Sequence, residues 1–211
     1  MTHSATDPSE NLAALIRCPS VTPEEGGALA LLEALLRPLD FTVERPVFSH
    51  AGTPDVENLL ATRGRGGRHL VFAGHTDVVP PGRLADWRHP PFEAVVENGQ
   101  MYGRGAVDMK DMDAMILSVV RHMVRTGQKP KRDIMLGFFA DEEAGGTYGA
   151  RWMVENHPEL FADATEAVSE VGGYSVDVRG QRVYLIQTAE KGLAWLNLVA
   201  HGTAGHGSQR N

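Results

Sequence analysis

Carboxylates and one histidine occur at four places where apolar segments of the chain begin or end. Two groups follow apolar runs directly, in GHTD (74–77) and DEEAGG (141–146). A third, GRGAVDMKD (103–111), precedes a helical pattern, and a fourth, SEVGG (169–173), follows another apolar run. In open α/β sheets, ligand sites lie at the carboxyl ends of the strands, so residues distant in the sequence meet there. The sequence therefore predicts one polar site built from four segments.

The spacing of His75 and Asp77 predicts a contact between their side chains. The two residues are two positions apart at the end of an apolar run, and residues at this spacing in an extended segment face the same side. Asp77 can therefore hold the imidazole of His75 in one orientation, as carboxylates do behind the histidine ligands of metal ions.

The other carboxylates of these segments predict a cation site. They belong to Asp108, Glu142, Glu143 and Glu170. Gathered in one partly buried crevice they would repel one another, and an uncompensated buried charge is costly. Protonation could neutralise one or two of them, whereas two divalent cations would neutralise all of them and suit a two-metal hydrolytic site. Histidine nitrogen with carboxylate oxygen favours zinc, with cobalt or manganese as substitutes.

Each of these residues also has an ordinary structural explanation when it is taken alone. A lone His75 is more often a core or surface histidine than a ligand, and Asp108 before a helix could be its N-cap. The DEE triplet could be an acidic turn that complements a helix dipole, and Glu170 could pair with a surface arginine. Their shared position at the ends of apolar segments favours a common site over these separate explanations.

Three apolar runs predict buried strands, at 69–75, 133–141 and 166–171. Continuous apolar runs are typical of strands that are covered on both faces of a sheet. Helical patterns at 109–127 and 148–157 separate these runs. This alternation predicts an α/β fold with a mostly parallel sheet flanked by helices.

Local signals predict two further elements. The Asn98–Gly99 pair, between two short strand-like segments, predicts a hairpin turn. Thr22 as N-cap, Pro23 as first helical residue and Glu25 as the reciprocal partner in a capping box predict the start of a helix.

The last part of the chain differs in character from the rest. Alternating, strand-like runs at 183–189 and 194–200 predict the start of an antiparallel α+β lid domain. We place an incomplete catalytic domain at residues 1–180 and the beginning of the lid at 181–211. Because no terminal helix or strand closes this unit, we expect the chain to be part of a longer protein.

Composition argues against several classes of partner and location. The chain has 211 residues and a formal net charge of −7, and its arginines are scattered. Nucleic acids and anionic membranes favour clustered Lys and Arg, so we expect neither as a partner, and TRGRGGR (62–68) predicts a surface turn. Cys18 is the single cysteine, which excludes a disulfide framework. The sequence shows no signal-peptide pattern and no membrane-spanning apolar stretch, which predicts a cytoplasmic protein.

The motifs GHTDVVP, GRGAVDMKD, DEEAGG and SEVGG, in this order, resemble the co-catalytic zinc aminoacylase and carboxypeptidase family. That family includes acetylornithine deacetylase, succinyl-diaminopimelate desuccinylase, carboxypeptidase G and the carnosinase-type dipeptidases. The resemblance implies a zinc-exopeptidase-like catalytic domain, two zinc ions, and hydrolysis of the amide bond of an N-acyl amino acid or short peptide. It also implies a homodimer formed through the lid domain and a cis peptide bond between Asp108 and Met109.

The resemblance further implies which residues bind the metal ions. His75 and Glu170 would bind one zinc ion, and Asp108 would bridge the two ions. Glu143 would bind the second ion, together with a histidine that lies beyond residue 211.

Three more residues receive catalytic roles from the resemblance. Glu142 would be the general base, and Asp77 would orient the metal-binding histidine. In HGTAGHGS (201–208), His206 matches a lid histidine that stabilises the oxyanion and, in dimeric members, reaches into the active site of the partner.

Two other functions stay open at the level of the sequence. The chain could be a catalytically inactive homologue or a metal-binding fragment, although Glu142 and the visible ligands are all intact. It could also be a leucyl-aminopeptidase-like zinc enzyme, which would require a free N-terminus on its substrate.

Overall fold

The computed structural model describes residues 7–171, 174–186, 188–189, 192, 196–199 and 201. The chain divides into two compact units, Met1–Glu170 and Val171–Asn211. The domain boundary that the sequence suggests after residue 180 stays a prediction.

The first unit alternates strands and helices along the chain. Its α-helices are α1 (Pro8–Ile16), α2 (Ala28–Leu36), α3 (Lys110–Thr126) and α4 (Trp152–Asn156). Its strands are β1 (Thr42–Glu44), β2 (Val47–Phe48), β3 (Val56–Glu57), β4 (Leu59–Arg63), β5 (His69–His75), β6 (Val95–Glu97), β7 (Gln100–Tyr102), β8 (Asp133–Phe139) and β9 (Ala164–Val168). Short 3₁₀ segments lie at Arg37–Leu39, Leu84–Asp86, Glu142–Ala144 and Pro158–Phe161, and a π-helical turn lies at Thr147–Arg151.

The central sheet has the strand order β1-β4-β8-β5-β9. β5 pairs in parallel with β8 and with β9, while β4 is antiparallel to both β1 and β8. Within this sheet, therefore, β1, β5, β8 and β9 run in one direction and β4 runs in the other. The predicted α/β fold with a mostly parallel sheet is confirmed.

Helices α1 and α3 pack against each other beside the sheet. The Asn11 side chain donates a hydrogen bond to Ser118 Oγ (2.8 Å), and Arg121 donates one to Asn11 Oδ1 (2.7 Å). Buried leucine, valine and phenylalanine side chains from α1, α2, α3, β4 and β8 form one core cluster. Among the described residues, none of the helices has the length and apolar character that a membrane span requires.

Several local predictions agree with the structure. The apolar runs at 69–75 and 133–141 contain β5 and β8. Asn98 and Gly99 join β6 to β7, and both have the positive φ (52° and 77°) that a two-residue hairpin turn requires. Helix α3 ends at Gly127, which is left-handed (φ 68°). The helix predicted at 148–157 is divided between the π-helical turn and α4.

The predicted start of the second helix is wrong. α2 begins at Ala28, and its N-cap is Gly27 in a left-handed conformation (φ 89°), not Thr22. The Thr22 backbone N–H instead donates to the carbonyl oxygen of Val78 (3.1 Å), so Thr22 takes part in a tertiary contact and not in the start of a helix. The Glu25 carboxylate accepts a hydrogen bond from the second residue of α2 (3.0 Å) rather than from the predicted capping box.

The prediction of a buried strand at 166–171 is also wrong. The strand, β9, ends at Val168, and its side chains from Thr165 onward are exposed. Within the described part of the chain, β9 pairs with β5 alone and forms an edge of the sheet. An apolar groove lined by Met115, Val119 and Val168 lies beside it. Apolar composition predicted burial, but the position of the strand in the sheet decided its exposure.

The second unit contains an antiparallel hairpin of β10 (Ser175–Val178) and β11 (Gln181–Tyr184). Arg179 and Gly180 connect the two strands and both have positive φ (55° and 80°). Of the run predicted at 183–189, residues 183–184 lie in β11, and the described residues 196–199 of the second run lie in no strand. The observed hairpin is thus a different pair of strands from the one predicted, and a pairing of the runs at 183–189 and 194–200 stays a prediction.

Asp133 organises the turn between β4 and β5. Its Oδ2 atom accepts hydrogen bonds from the backbone N–H groups of Arg65, Gly66 and Gly67 (2.8, 2.8 and 2.7 Å). These bonds, that of Gly67 above all, lower the pKa of the Asp133 carboxyl. The glycine-rich segment at 62–68 therefore forms a surface turn, as predicted, with its amides occupied by the chain's own carboxylate.

This arrangement predicts that two glycine substitutions in the same turn have very different effects on the free energy of unfolding. A Cβ atom at Gly64 would lie 1.9 Å from Asp133 Cγ, whereas a Cβ at Gly67 would lie 3.7 Å from Asp133 Oδ2. We expect Gly64→Ala to displace the carboxylate and lower the free energy of unfolding by about 1–3 kcal/mol in urea titrations. Gly67→Ala should stay within about 0.5 kcal/mol of the parent protein. Equal effects of the two substitutions would contradict this role of Asp133.

Candidate metal centre

Three neighbouring strands bring the predicted site residues to one edge of the sheet. β5, β8 and β9 are parallel, so their carboxyl ends lie at the same edge. β5 ends at His75, while Glu142 and Glu170 lie in the segments that follow β8 and β9. Asp108, just before α3, reaches the same place, where it contacts His75. The structure therefore brings together residues from all four predicted segments.

The imidazole of His75 lies at the centre of this group. Its Nε2 atom is 3.2 Å from Asp108 Oδ1 and 3.4 Å from Glu170 Oε2. The Glu142 Oε2 atom is 3.6 Å away. His75 is buried, Asp108 and Glu142 are exposed, and Glu170 is half-buried. The imidazole thus forms the floor of an open, negatively charged crevice.

The Nε2 atom of His75 requires a positive charge at this position. It is buried and has no hydrogen-bond partner among the described residues, while Nδ1 lies 3.0 Å from the carbonyl oxygen of Asp77. Burial lowers the pKa of His75, but hydrogen bonding to Asp77 and the charges of Asp77 and Glu142 outweigh this effect and raise the pKa to about 10. A proton on Nε2, or a cation bound in its place, meets the requirement.

The neighbouring carboxylates also favour a cation. Burial raises the pKa of Glu142 and of Glu143, and although the charge of His75 opposes this, the charges of Asp77 and Asp108 raise both values further. Raised carboxyl pKa values mean that the negative charges destabilise one another. A divalent cation between these groups would remove that repulsion.

The donor atoms present fit a zinc ion. His75, Asp108 and Glu170 each offer one ligand atom, and these atoms lie within 4.8 Å of one another. One imidazole nitrogen with carboxylate oxygens is a donor set that zinc accepts. Glu143 lies outside this group, so its part in a second metal site stays a prediction. His206 lies outside the described residues.

Asp77 links the histidine to the two adjacent glutamates. Its side chain is fully buried, and Oδ1 lies 3.4 Å from His75 Nδ1. Oδ1 also accepts a hydrogen bond from the Glu142 backbone N–H, and Oδ2 accepts one from the Glu143 backbone N–H (3.2 Å each). One carboxylate therefore fixes the imidazole and the turn after β8 relative to each other. The sequence predicted the contact with His75 but not the two contacts with backbone amides.

Asp141 is a second buried carboxylate that the sequence analysis did not single out. Its Oδ2 atom accepts a hydrogen bond from the Tyr148 backbone N–H (2.6 Å), and the Asn58 side chain donates to the Tyr148 carbonyl oxygen (3.3 Å). A Cβ atom at Gly149 would lie 2.4 Å from Asp141 Oδ1, so this position favours glycine. Asp141 thereby closes the loop that carries Glu142. Its position directly before Glu142, the predicted base, is the sequence feature that could have indicated a role for Asp141.

Lys110 is a buried lysine behind the site that the sequence analysis also missed. Its side chain is fully buried, and Nζ donates hydrogen bonds to the carbonyl oxygens of Leu15 (3.0 Å) and Cys18 (2.7 Å). Burial lowers the pKa of Lys110 to about 8. A lysine in the first turn of a helix opposes the helix dipole, and this mismatch could have drawn attention to it. One residue before Lys110, the peptide bond between Asp108 and Met109 is cis, as predicted.

Gly74 makes room for a further buried carboxyl beside the site. Asp113, on α3, is completely buried, and neither of its oxygens has a hydrogen-bond partner among the described residues. A Cβ atom at Gly74 would lie 2.1 Å from Asp113 Oδ1. Burial raises the pKa of Asp113 well above its usual value. The glycine of the GHTD motif is therefore required by packing, directly before the histidine.

Comparison with known proteins connects this site to a peptidase family. The family model for peptidase family M20/M25/M40 matches residues 71–189, which is more than half of the chain. Human carnosine dipeptidase 1 has a similar fold, with a TM-score of 0.69 and 20% sequence identity over 79% of this chain and 38% of that one.

Two further solved structures share the fold. A metallo-carboxypeptidase of the M20 family from Sulfolobus solfataricus has a TM-score of 0.67 and 22% identity over 79% of this chain and 38% of that one. The dipeptidase Dug1p from Saccharomyces cerevisiae has a TM-score of 0.66 and 19% identity over 83% of this chain and 43% of that one. The chain therefore spans about two fifths of the length of these structures.

The contacts of Asp77 predict the effect of removing one of its acceptor oxygens. In Asp77→Asn, an amide group replaces one carboxylate oxygen, so the N–H of Glu142 or Glu143 loses its acceptor. We expect a loss of about 1–3 kcal/mol in the free energy of unfolding, with faster hydrogen exchange of these two amides measured by NMR. Asp86→Asn, which changes an exposed carboxylate paired with Arg83, is the control and should affect neither measurement. Unchanged exchange at both glutamates would contradict the assignment.

Proposed function

Because the chain belongs to peptidase family M20/M25/M40, we propose that it is part of a zinc-dependent hydrolase. Its reaction is the hydrolysis of the amide bond of an N-acyl amino acid or a short peptide. One observation carries this proposal: the buried, unpartnered Nε2 atom of His75 faces oxygen atoms of Asp108, Glu142 and Glu170.

The proposed ligands divide between two ions. His75, Asp108 and Glu170, whose donor atoms lie close together, hold one zinc ion. Asp108 and Glu143 would contribute to a second zinc ion. Zinc supplies a Lewis acid that polarises a carbonyl oxygen and lowers the pKa of water. Cobalt and manganese accept similar donor sets and are expected substitutes.

Glu142 is the proposed general base and acid. Its carboxylate is about half exposed, and its Oε2 atom lies 3.6 Å from His75 Nε2, beside the proposed ligands. Burial and neighbouring carboxylates raise the pKa of Glu142, which brings it closer to the value at which a group exchanges protons efficiently at neutral pH. Glu142 accepts a proton from the attacking water as the carbon–oxygen bond forms. It then delivers this proton to the amine nitrogen as the carbon–nitrogen bond breaks.

Asp77 and His206 complete the proposal. Asp77 holds the backbone of Glu142 against the strand end that carries His75, which keeps the proton acceptor beside the proposed ligands. His206 is proposed to donate a hydrogen bond to the oxyanion, across a homodimer formed through the lid. We also propose a cytoplasmic location and no nucleic-acid or membrane partner, on the basis of composition.

The class of substrate rests on the family and on the relatives with similar folds. Their names describe them as dipeptidases and a carboxypeptidase, so short peptides with a free carboxylate are the first substrates to test. The direct experiment measures bound zinc by metal analysis and hydrolysis of N-acetyl and N-succinyl amino acids beside free-amine dipeptides. Cleavage of free-amine dipeptides that does not depend on their free carboxylate would favour the aminopeptidase-like alternative. Zinc binding without hydrolysis of any of them would favour a non-catalytic role.

Substitution of Glu142 tests the chemical role most directly. We expect Glu142→Gln to retain bound zinc, because the proposed ligands are unchanged, while kcat falls by about 10²-fold or more. Glu155→Gln, at an exposed glutamate on α4 that pairs with Arg151, is the control and should leave kcat unchanged. Turnover by Glu142→Gln close to that of the parent protein would remove Glu142 from this role.

A further inference from the structure

We propose that Lys110 is a positioning residue that fixes the distance between Asp108 and His75. It does so by tying the start of α3 to the segment Cys18–Thr22, which is bonded on its other side to the strand end that carries His75. This inference rests on the proposed function, in which Asp108 and His75 are metal ligands.

The first half of this connection is the ammonium group of Lys110. Nζ donates to the carbonyl oxygens of Leu15 and Cys18 at 3.0 and 2.7 Å, and the Lys110 backbone N–H donates to the Gly105 carbonyl oxygen (3.1 Å). The side chain is completely buried and is among the largest buried side chains among the described residues. Asp108 therefore lies two residues before a fully buried side chain that is hydrogen-bonded to two carbonyl oxygens.

The second half of the connection is made by Ser20 and Thr22. Ser20 Oγ donates to the Thr76 carbonyl oxygen (2.6 Å), and the Val78 backbone N–H donates to the Ser20 carbonyl oxygen (2.9 Å). The Thr22 backbone N–H donates to the Val78 carbonyl oxygen (3.1 Å). The segment Cys18–Thr22 thus lies between the two ligand-bearing segments and is bonded to both.

The two carbonyl oxygens that Lys110 contacts do not depend on it for a hydrogen bond. The Leu15 and Cys18 carbonyl oxygens also accept hydrogen bonds from the backbone N–H groups of Cys18 and Ser20 (3.1 and 2.8 Å), so they keep a donor without the lysine. A cation in the first turn of α3 also opposes the helix dipole. The hydrogen bonds of the Lys110 ammonium group thus connect two segments rather than satisfy carbonyl oxygens that would otherwise lack a donor.

A positioning role and a purely electrostatic role predict opposite effects on metal binding. Lys110 repels a nearby cation, so removing its charge alone would tighten metal binding. If Lys110 instead holds Asp108 in place, removing it weakens binding, because loss of a residue behind a ligand typically lowers metal affinity by about 10- to 100-fold.

The test compares Lys110→Met with Lys129→Met, which removes the same charge from an exposed position. Zinc affinity is measured by calorimetry with zinc alone, and stability of the metal-free proteins is measured by urea unfolding. We expect Lys110→Met to bind zinc about 10- to 100-fold more weakly while the metal-free protein still unfolds cooperatively in urea, and Lys129→Met to match the parent protein. Equal or tighter zinc binding by Lys110→Met would overturn the inference.

A second variant and a structural measurement test the same role of Lys110 independently. Ser20→Ala removes the side-chain hydrogen bond to the Thr76 carbonyl oxygen while Lys110 is intact. We expect it to weaken zinc binding as well, and it keeps the test available even if Lys110→Met does not fold. If the parent chain binds no zinc, the proposed function fails. The inference is then decided by metal-free crystal structures, in which the 3.2 Å contact between Asp108 Oδ1 and His75 Nε2 should lengthen in the variants. Retention of that contact would overturn it.

Discussion

Negative charge gathered around one buried imidazole is the constraint on which the rest of this site depends. The Nε2 atom of His75 faces the carboxylates of Asp108, Glu142 and Glu170 and has no hydrogen-bond partner among the described residues. Such a group is stable only with a positive charge inside it, because the carboxylates repel one another and the buried nitrogen needs a partner. The same requirement makes the crevice a good cation site, so the chemistry of the family and the electrostatics of the fold point in the same direction.

Buried polar side chains outside the group of proposed ligands fix the segments that carry the mutually repelling carboxylates. Asp77 accepts hydrogen bonds from the backbone of both adjacent glutamates, Asp141 closes the loop that follows them, and Lys110 bonds to carbonyl oxygens at the end of α1. All three contact backbone atoms of segments that lie outside the central sheet. These side chains therefore link the segments around the site to one another and set the geometry of the proposed ligands.

Two wrong predictions show where local patterns lose to tertiary contacts. Thr22 carries the sequence signals of a helix N-cap, yet its backbone pairs with Val78, and the helix starts later, at Ala28. The apolar run before Glu170 was expected to be buried, yet β9 lies at an edge of the sheet and is exposed. In both cases the local sequence carries the pattern described. The start of the helix and the exposure of the strand depend instead on contacts with residues that are distant in the sequence.

The sequence by itself determined the α/β class, the strands at 69–75 and 133–141, and the gathering of His75 with its carboxylates. These follow from periodicity and from the rule that parallel strands end at one edge. Only the tertiary structure decided which buried groups support the site, because Lys110, Asp113 and Asp141 acquire their roles from contacts with residues far away in the chain. A charged side chain in a sequence carries no sign of its burial; that depends on which backbone carbonyls, amides and glycines the fold brings against it.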